Sequence, residues 1–169
     1  MKKIFILTLL LASLFTTSQA EDDKFTMTSV DGKTIHVRGT TNGLIFDEYR
    51  GKIIFLEFFG HRCPPCLKSI SHYKNLQKKY RDRLAIIAIE VQGYDDAELK
   101  AFVKSRGINY VTISQEKAGN LIPYISARAQ WQGSIPFLVI LDQKGNVQLV
   151  QAGMLPESEL ENAIKQLSK

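Results

Sequence analysis

The sequence is poor in the side chains that build metal sites and disulfide networks: its 169 residues include two cysteines and three histidines. A structural zinc site needs four ligands, and two cysteines three positions apart supply half of them. His36, His61 and His72 are the remaining candidates, so one short segment would have to wrap around the metal alone. We therefore expect neither a metal nor another cofactor.

An apolar run long enough to cross a membrane is also missing. Residues 4–15 are almost wholly apolar and follow Lys2 and Lys3, but a spanning helix needs about 20 such residues. A short apolar segment behind a basic start is typical of a secretory signal peptide. Small residues at Ser18 and Ala20 fit its cleavage site.

We interpret residues 1–20 as a cleaved signal peptide and residues 21–169 as a single domain, which is long enough for one hydrophobic core and too short for two. The expected location is the periplasm. An uncleaved inner-membrane anchor is the alternative, whereas a bacterial lipid anchor at this site would need a cysteine directly after Ala20.

The charge of the exported chain is too small and too scattered to indicate a nucleic-acid partner. The formal net charge of +5 falls to +3 when the leader, with its two lysines and no acidic residue, is removed. The densest basic group lies on the polar side of a predicted helix without interleaved aromatic residues, so we interpret it as a solvated surface. It comprises Lys74, Lys78, Lys79, Arg81 and Arg83.

Strand and helix patterns alternate along the rest of the chain. Residues 52–59 and 84–91 are nearly continuous apolar runs, which are typical of central strands covered on both faces. The predicted order is a β-hairpin at 25–30 and 34–37, strands at 52–59, 84–91, 110–113, 137–141 and 147–151, and helices at 67–80, 95–106, 116–130 and 156–167. This alternation indicates an α/β fold with a central mixed sheet flanked by helices on both faces.

The two cysteines, Cys63 and Cys66, lie at the start of the first predicted helix with Pro64 and Pro65 between them. Proline is tolerated in the first turn of a helix, where its missing N–H costs least. A sulfur at a helix N-terminus experiences partial positive charge, which favours the thiolate. We therefore predict that Cys63 is the exposed nucleophile and that Cys66, mostly covered, resolves the mixed disulfide.

The residues around the cysteine pair argue against a structural disulfide and affect the reactivity of the Cys63 sulfur. A disulfide between residues three positions apart closes too short a loop to be an effective structural staple. Arg62 and His61 add positive charge beside Cys63, whereas the two prolines leave the Cys66 N–H as the nearest backbone donor to its sulfur. These influences oppose each other, so the sequence leaves the redox potential open.

Glu57 is the unexpected residue of the strand at 52–59, because a charged carboxylate is costly to bury. Burial is expected to raise its pKa. We predict that Glu57 accepts a proton from Cys66, and later returns it, when Cys66 attacks the mixed disulfide. The alternative is an acid without a role at a half-exposed position.

These features together resemble the thioredoxin superfamily, in particular its exported TlpA-, ResA- and CcmG-like thiol–disulfide oxidoreductases. The resemblance rests on the apolar strand before C-P-P-C at 63–66, on Ile135-Pro136 before another strand, and on the D-x-x-G turn at 142–145. It implies a thioredoxin fold with an added N-terminal β-hairpin. It also implies a cis Ile135–Pro136 peptide that faces the first cysteine and pairs with the substrate backbone, and it places Glu57 where many thioredoxins carry a buried acid.

The chain departs from the family pattern at two positions beside the motif. Arg62 replaces the tryptophan that usually precedes the first cysteine, and Ser69 stands where many TlpA- and ResA-like proteins have a glutamate. Trp131 lies shortly before the Ile-Pro pair. We expect it to line the substrate groove together with Arg62, Ile135 and Pro136, or else to pack against the core.

The resemblance implies an enzyme that exchanges the Cys63–Cys66 dithiol and disulfide with cysteine-containing exported proteins. We favour a reductase, for clients such as apocytochrome c before haem attachment, recharged by a DsbD- or CcdA-like membrane electron donor. The alternatives are a DsbA- or DsbC-like oxidase or isomerase, and a binding or chaperone module that keeps the fold without turnover. A peroxidase is a weaker alternative, because such enzymes surround a single peroxidatic cysteine with a different threonine and arginine setting.

Overall fold

The computed structural model describes residues 23–169, so the predicted signal peptide at 1–20 lies outside the described residues. The strands are β1 Lys24–Thr28, β2 Thr34–Thr40, β3 Gly43–Phe46, β4 Ile53–Phe59, β5 Leu84–Glu90, β6 Val111–Ser114, β7 Phe137–Leu141 and β8 Val147–Ala152. The helices are α1 Pro64–Lys79, α2 Asp96–Arg106, α3 Gln115–Ala118, α4 Leu121–Ala129 and α5 Glu157–Leu167. None of the helices in this described part is long and apolar enough to cross a membrane.

The central sheet has five strands in the order β6-β5-β4-β7-β8. β4 runs parallel to β5 and β5 runs parallel to β6, whereas β7 is antiparallel to both β4 and β8. All seven residues of β4 and all seven of β5 are buried, because the sheet is covered on both faces. The predicted α/β architecture with a central mixed sheet is confirmed.

Two apolar cores lie on the two faces of this sheet. α1, α2 and α5 cover one face, and α3 and α4 with the N-terminal strands cover the other. Side chains alternate along β4: Phe55 and Phe59 belong to the first core, whereas Leu56 and Phe58 belong to the second. Glu57 therefore points toward the face that carries α1.

The N-terminal sheet contains one strand more than the predicted hairpin. β1 and β2 pair antiparallel as expected, and β3 pairs with the other edge of β2. β3 starts at Gly43, which lies so close to the backbone of Gly145 that a Cβ would collide with it. Four residues are too few to show a recognisable alternation, which is why the sequence pattern did not predict β3.

The helical stretch predicted at 116–130 is divided into two helices. Gly119, with a φ of +55°, separates α3 from α4. Pro123 lies in the first turn of α4, where no intrahelical N–H bond is lost. Gln130, the C-cap of α4, has the left-handed conformation, and the following loop leads into β7 and toward the start of α1.

Candidate active site

Cys63 and Cys66 lie at the start of α1, where the sequence predicts them. Cys63 is the N-cap residue with extended backbone, and Pro64 and Pro65 are the first two helical residues. The two sulfurs form a disulfide, and the Cys66 N–H points at the Cys63 sulfur over 3.3 Å. The backbone donor expected from the sequence is therefore in place. Arg62 precedes the pair with an exposed side chain.

Cys63 is more covered than the sequence suggested. It retains 6% of its surface, against 1% for Cys66. The carbonyl oxygen of Ile135 lies 3.8 Å from the Cys63 sulfur, and the bond to Cys66 covers that sulfur from the helix side. The order of exposure agrees with attack at Cys63, but the expectation of an exposed sulfur does not hold for the disulfide form.

The loop opposite Cys63 carries Ile135 and Pro136. The peptide bond between them is cis, which confirms the isomer that the resemblance implied. The Pro136 carbonyl accepts the Gly153 N–H at 2.8 Å, which ties the loop to the end of β8. Ile135 packs against both apolar cores, so its carbonyl is presented to Cys63 from an anchored loop.

Trp131 packs against the core at the start of this loop. Its ring centroid lies 4.7 Å from that of Phe58 and 6.1 Å from that of Phe137. Its Nε1–H donates to the Ser134 carbonyl at 2.7 Å, which braces the loop before Ile135. These contacts support the packing role of Trp131, and a further role in lining a substrate groove stays a prediction.

Glu57 lies under α1 and is 2% exposed, which excludes the half-exposed alternative. Burial raises its pKa to about 8, although hydrogen bonds from the Tyr73 and Ser69 hydroxyl groups act in the opposite direction. The Ser69 hydroxyl oxygen lies 3.4 Å from Glu57 Oε1 and 2.8 Å from the Cys66 carbonyl oxygen. Ser69 therefore connects the carboxyl group to the helical turn that carries Cys66.

The hydroxyl groups around Glu57 are functional candidates that sequence reasoning missed. Ser69 and Tyr73 follow Cys66 on the buried face of α1, at a helical spacing that could have identified them. Tyr110 packs edge-on against Tyr73, with ring centroids 6.0 Å apart. Burial and the charge of Glu57 raise the pKa of both tyrosines well above the usual range, so both phenols are neutral at physiological pH.

The arrangement can carry two electrons and exchange a proton. The Cys63–Cys66 pair is a dithiol–disulfide couple on a helix N-terminus, and Glu57 is a buried acid linked to it through Ser69. Among residues 23–169, no three or more His, Cys, Asp or Glu side chains are grouped so that they could hold a metal ion.

Curated relatives of this chain have names that match this chemistry. The chain is 26% identical over 149 residues to the thiol–disulfide oxidoreductase ResA of Bacillus thuringiensis subsp. konkukian, which covers 88% of this chain and 77% of ResA. It is 26% identical over 117 residues to the thioredoxin-like protein YneN of Bacillus subtilis, which covers 68% of this chain and 65% of YneN. The match to YneN thus spans slightly less than two thirds of that protein. The predicted resemblance to ResA-like proteins is confirmed.

Solved structures of other proteins share the fold. A thiol:disulfide interchange protein of the thioredoxin family from Chlorobium tepidum has a TM-score of 0.72 and 22% identity, and the match covers 88% of this chain and 95% of that one. A secreted Mycobacterium tuberculosis disulfide oxidoreductase has a TM-score of 0.60 and 18% identity over 84% of this chain and 95% of that one. At these identities the likeness shows the thioredoxin fold. The model of the AhpC/TSA family matches residues 18–150, and the chain therefore belongs to the AhpC/TSA family.

Proposed function

We propose that this chain is an exported thiol–disulfide oxidoreductase that exchanges its Cys63–Cys66 pair with cysteine pairs of other exported proteins, acting as a reductase. The observation that carries the proposal is the disulfide at the N-terminus of α1, opposite the Ile135 carbonyl. A structural staple joins distant segments, whereas this bond joins residues three positions apart. Its place suits reversible making and breaking rather than holding the fold together.

In the reduced protein the reaction begins at Cys63. Its thiolate is stabilised by the partial positive charge of the α1 N-terminus and by the Cys66 N–H. It attacks one sulfur of the client disulfide: a bond forms between Cys63 and the client, the client S–S bond breaks, and the released client sulfur takes a proton. The Ile135 carbonyl borders the Cys63 sulfur, and Ile135 and Pro136 would pair with the client backbone there.

The second step releases the client in its reduced form. Cys66 loses its proton and attacks the Cys63 sulfur, so that the Cys63–Cys66 bond forms and the second client sulfur leaves as a thiol. Glu57 takes the Cys66 proton and passes it on, since a carboxyl group with a pKa of about 8 exchanges protons readily near neutral pH. In total, two electrons and two protons pass from the dithiol to the client disulfide.

The proposed location is the periplasm, reached through cleavage of the signal peptide at 1–20. The structural neighbour from Mycobacterium tuberculosis is described as secreted, which supports export. The proposed clients include apocytochrome c, and a DsbD- or CcdA-like membrane protein would supply electrons. A measured reduction potential near about −270 mV supports a reductase, and one near about −120 mV supports an oxidase.

The proposal is tested by trapping clients with Cys66→Ser, in which the mixed disulfide at Cys63 is not resolved. The controls are Cys63→Ser, which removes the attacking sulfur, and the double variant Cys63→Ser/Cys66→Ser. Adducts in the exported fraction that are released by reductant, and that form only with Cys66→Ser, support exchange. If no adduct forms, the proposed exchange is contradicted; if the double variant recovers the same proteins, the chain is a binding module rather than an oxidoreductase.

A further inference from the structure

A second buried carboxyl group lies at the end of β5, next to the segment that leads into Cys63. Glu90, the last residue of β5, is 0% exposed and pairs in register with Phe59 of β4. Its Oε2 accepts the N–H groups of Gly93 and Tyr94, each at 3.0 Å, and its Oε1 accepts the Gln92 N–H at 3.0 Å. An ionised carboxylate only accepts hydrogen bonds, so this set of donors matches the ionised form of Glu90.

His61 completes the set of donors around Glu90. Its Nδ1 lies 2.8 Å from Glu90 Oε1, and its backbone N–H lies 3.4 Å from the same oxygen. Because the carboxylate offers only lone pairs, Nδ1 carries the hydrogen, and Nε2 is the atom that gains or loses a proton. The imidazole, 11% exposed, stacks on the Tyr94 ring with centroids 3.6 Å apart.

The turn that carries His61 also carries Cys63. The Cys63 N–H donates to the Gly60 carbonyl at 3.3 Å, which makes His61 and Arg62 the central residues of a β-turn. The Arg62 N–H donates to the Gln92 side chain at 2.8 Å, which fixes the turn to the end of β5. Two residues span at most about 7 Å between Cα atoms, so the His61 backbone is held close to Cys63.

We propose that His61, held by Glu90 and Tyr94, is a positioning residue that places a proton-dependent positive charge beside Cys63 and so sets the pH range in which Cys63 attacks. The inference rests on the proposed function, since it concerns the reactivity of the same thiol. A neighbouring positive charge favours the thiolate over the thiol. Imidazole is the side chain whose charge ordinarily changes between about pH 5 and pH 8, whereas a lysine or arginine would stay positively charged over the whole of that range.

The other ionisable groups around the turn do not provide this pH dependence. Arg62 is exposed and keeps its charge throughout this range. Glu57, with a pKa of about 8, is linked to the Cys66 turn, but it is present in every variant of the test below, so its titration does not distinguish them. Asp95 and Asp96 at the start of α2 are engaged by their own helix and by β6. The loop at 131–136 has no ionisable side chain.

The test measures the rate at which iodoacetamide alkylates Cys63 as a function of pH, with Cys66→Ser in every sample so that one thiol reacts. His61→Gln removes the charge and keeps an amide donor for Glu90. At about pH 6 we expect a rate about three- to tenfold lower, because the thiol titration moves up by about one unit. At about pH 9, where the thiol is ionised in both proteins, the variant reacts at least as fast as its parent.

Two further variants decide between a charge effect and a packing effect. Lys68→Gln removes an exposed positive charge from α1 and should change the rate by less than about twofold at either pH. His61→Lys keeps a positive charge at both pH values and should lack the loss at pH 6. The proposal is overturned if His61→Gln keeps the parent profile or is slower by one factor at every pH. It is equally overturned if His61→Lys shows the same loss as His61→Gln.

This experiment is independent of the test of the proposed function. Alkylation requires only the reduced Cys63 thiol and no client protein. A chain that traps no client but shows the His61-dependent profile contradicts the oxidoreductase function and supports the inference about His61. A chain that traps clients but shows no His61 dependence supports the oxidoreductase function and overturns the inference about His61.

Discussion

Glu57 and Glu90 lie on neighbouring strands beside the same pair of cysteines, and both are buried, but they have different hydrogen-bond donors. Glu57 has the hydroxyl groups of Ser69 and Tyr73, whereas Glu90 has backbone N–H groups and the imidazole of His61. A hydroxyl group both donates and accepts, so Glu57 keeps its partners whether it holds or releases a proton. N–H groups only donate, so Glu90 keeps its partners as a carboxylate. The hydrogen-bond donors around each carboxyl group, rather than its burial alone, therefore determine whether the acid exchanges protons, as Glu57 does, or fixes a turn, as Glu90 does.

The largest effect that tests this comparison is expected from Glu90→Ala. The change removes a fully buried carboxylate together with the acceptor of three backbone N–H groups and of His61, so the free energy of unfolding of the oxidised protein should fall by about 3–5 kcal/mol. Urea unfolding measures it. The control is Glu57→Gln at pH 5, which replaces one neutral group by another and should cost less than about 1 kcal/mol. A similarly small loss for Glu90→Ala would remove the distinction between the two acids.

The next effect is the pH dependence of stability that Glu57 causes. Its pKa is about 8 in the folded protein and 4.5 as an unperturbed carboxyl group, so between these values the folded state holds a proton that the unfolded state has released. Stability therefore falls as pH rises through this window, by about 3 kcal/mol between pH 5 and pH 8. Urea unfolding at several pH values measures the slope. Glu57→Gln should flatten it, and an unchanged slope in that variant would assign the effect to another group.

Glu57→Gln should also slow one step of the reaction and not the other. Without a proton acceptor near Cys66, resolution of the mixed disulfide is expected to be about 100-fold slower at pH 7, while the attack by Cys63 stays within about twofold. Stopped-flow measurement of the two steps with a peptide disulfide separates them. If both steps keep their wild-type rates, Glu57 has a structural role alone.

The smallest effect is expected from the hydroxyl groups themselves. Tyr73→Phe removes a hydrogen bond that lowers the pKa of Glu57, so the Glu57 titration should move up by about half a unit to one unit. Ser69→Ala should move it less, because the 3.4 Å contact is long for an O–H···O hydrogen bond. Infrared titration of the buried carboxyl band measures both. A downward shift in Tyr73→Phe would contradict the hydrogen-bond assignment.

The parts of the site that depend on local sequence could be predicted. The helix start at Cys63, the prolines in its first turn and the acid inside an apolar strand are signals within a few residues of one another. The cis bond at Ile135–Pro136 followed from the family resemblance. Hydrophobic periodicity and helix capping are properties of short segments, so reading them needs no knowledge of strand register.

The parts that depend on contacts across the sheet could not be predicted. The carbonyl of Ile135 that covers Cys63 lies 72 positions away along the chain, and the partnership of His61 and Glu90 spans 29 positions. Glu90 reads as an ordinary charged residue at the end of a strand until the register of β4 and β5 is known. The sequence did not predict the short strand β3, because β3 is defined by its pairing with β2 rather than by a pattern in its own residues.

The central claim is that Cys63 attacks and Cys66 resolves. It is tested most directly by exposing the reduced wild-type protein to limiting iodoacetamide at about pH 7 and locating the label by peptide mass spectrometry. The account predicts that Cys63 carries at least about tenfold more label than Cys66, because Cys63 occupies the helix N-terminus and retains more of its surface. Equal labelling of the two cysteines, or preferential labelling of Cys66, would contradict it.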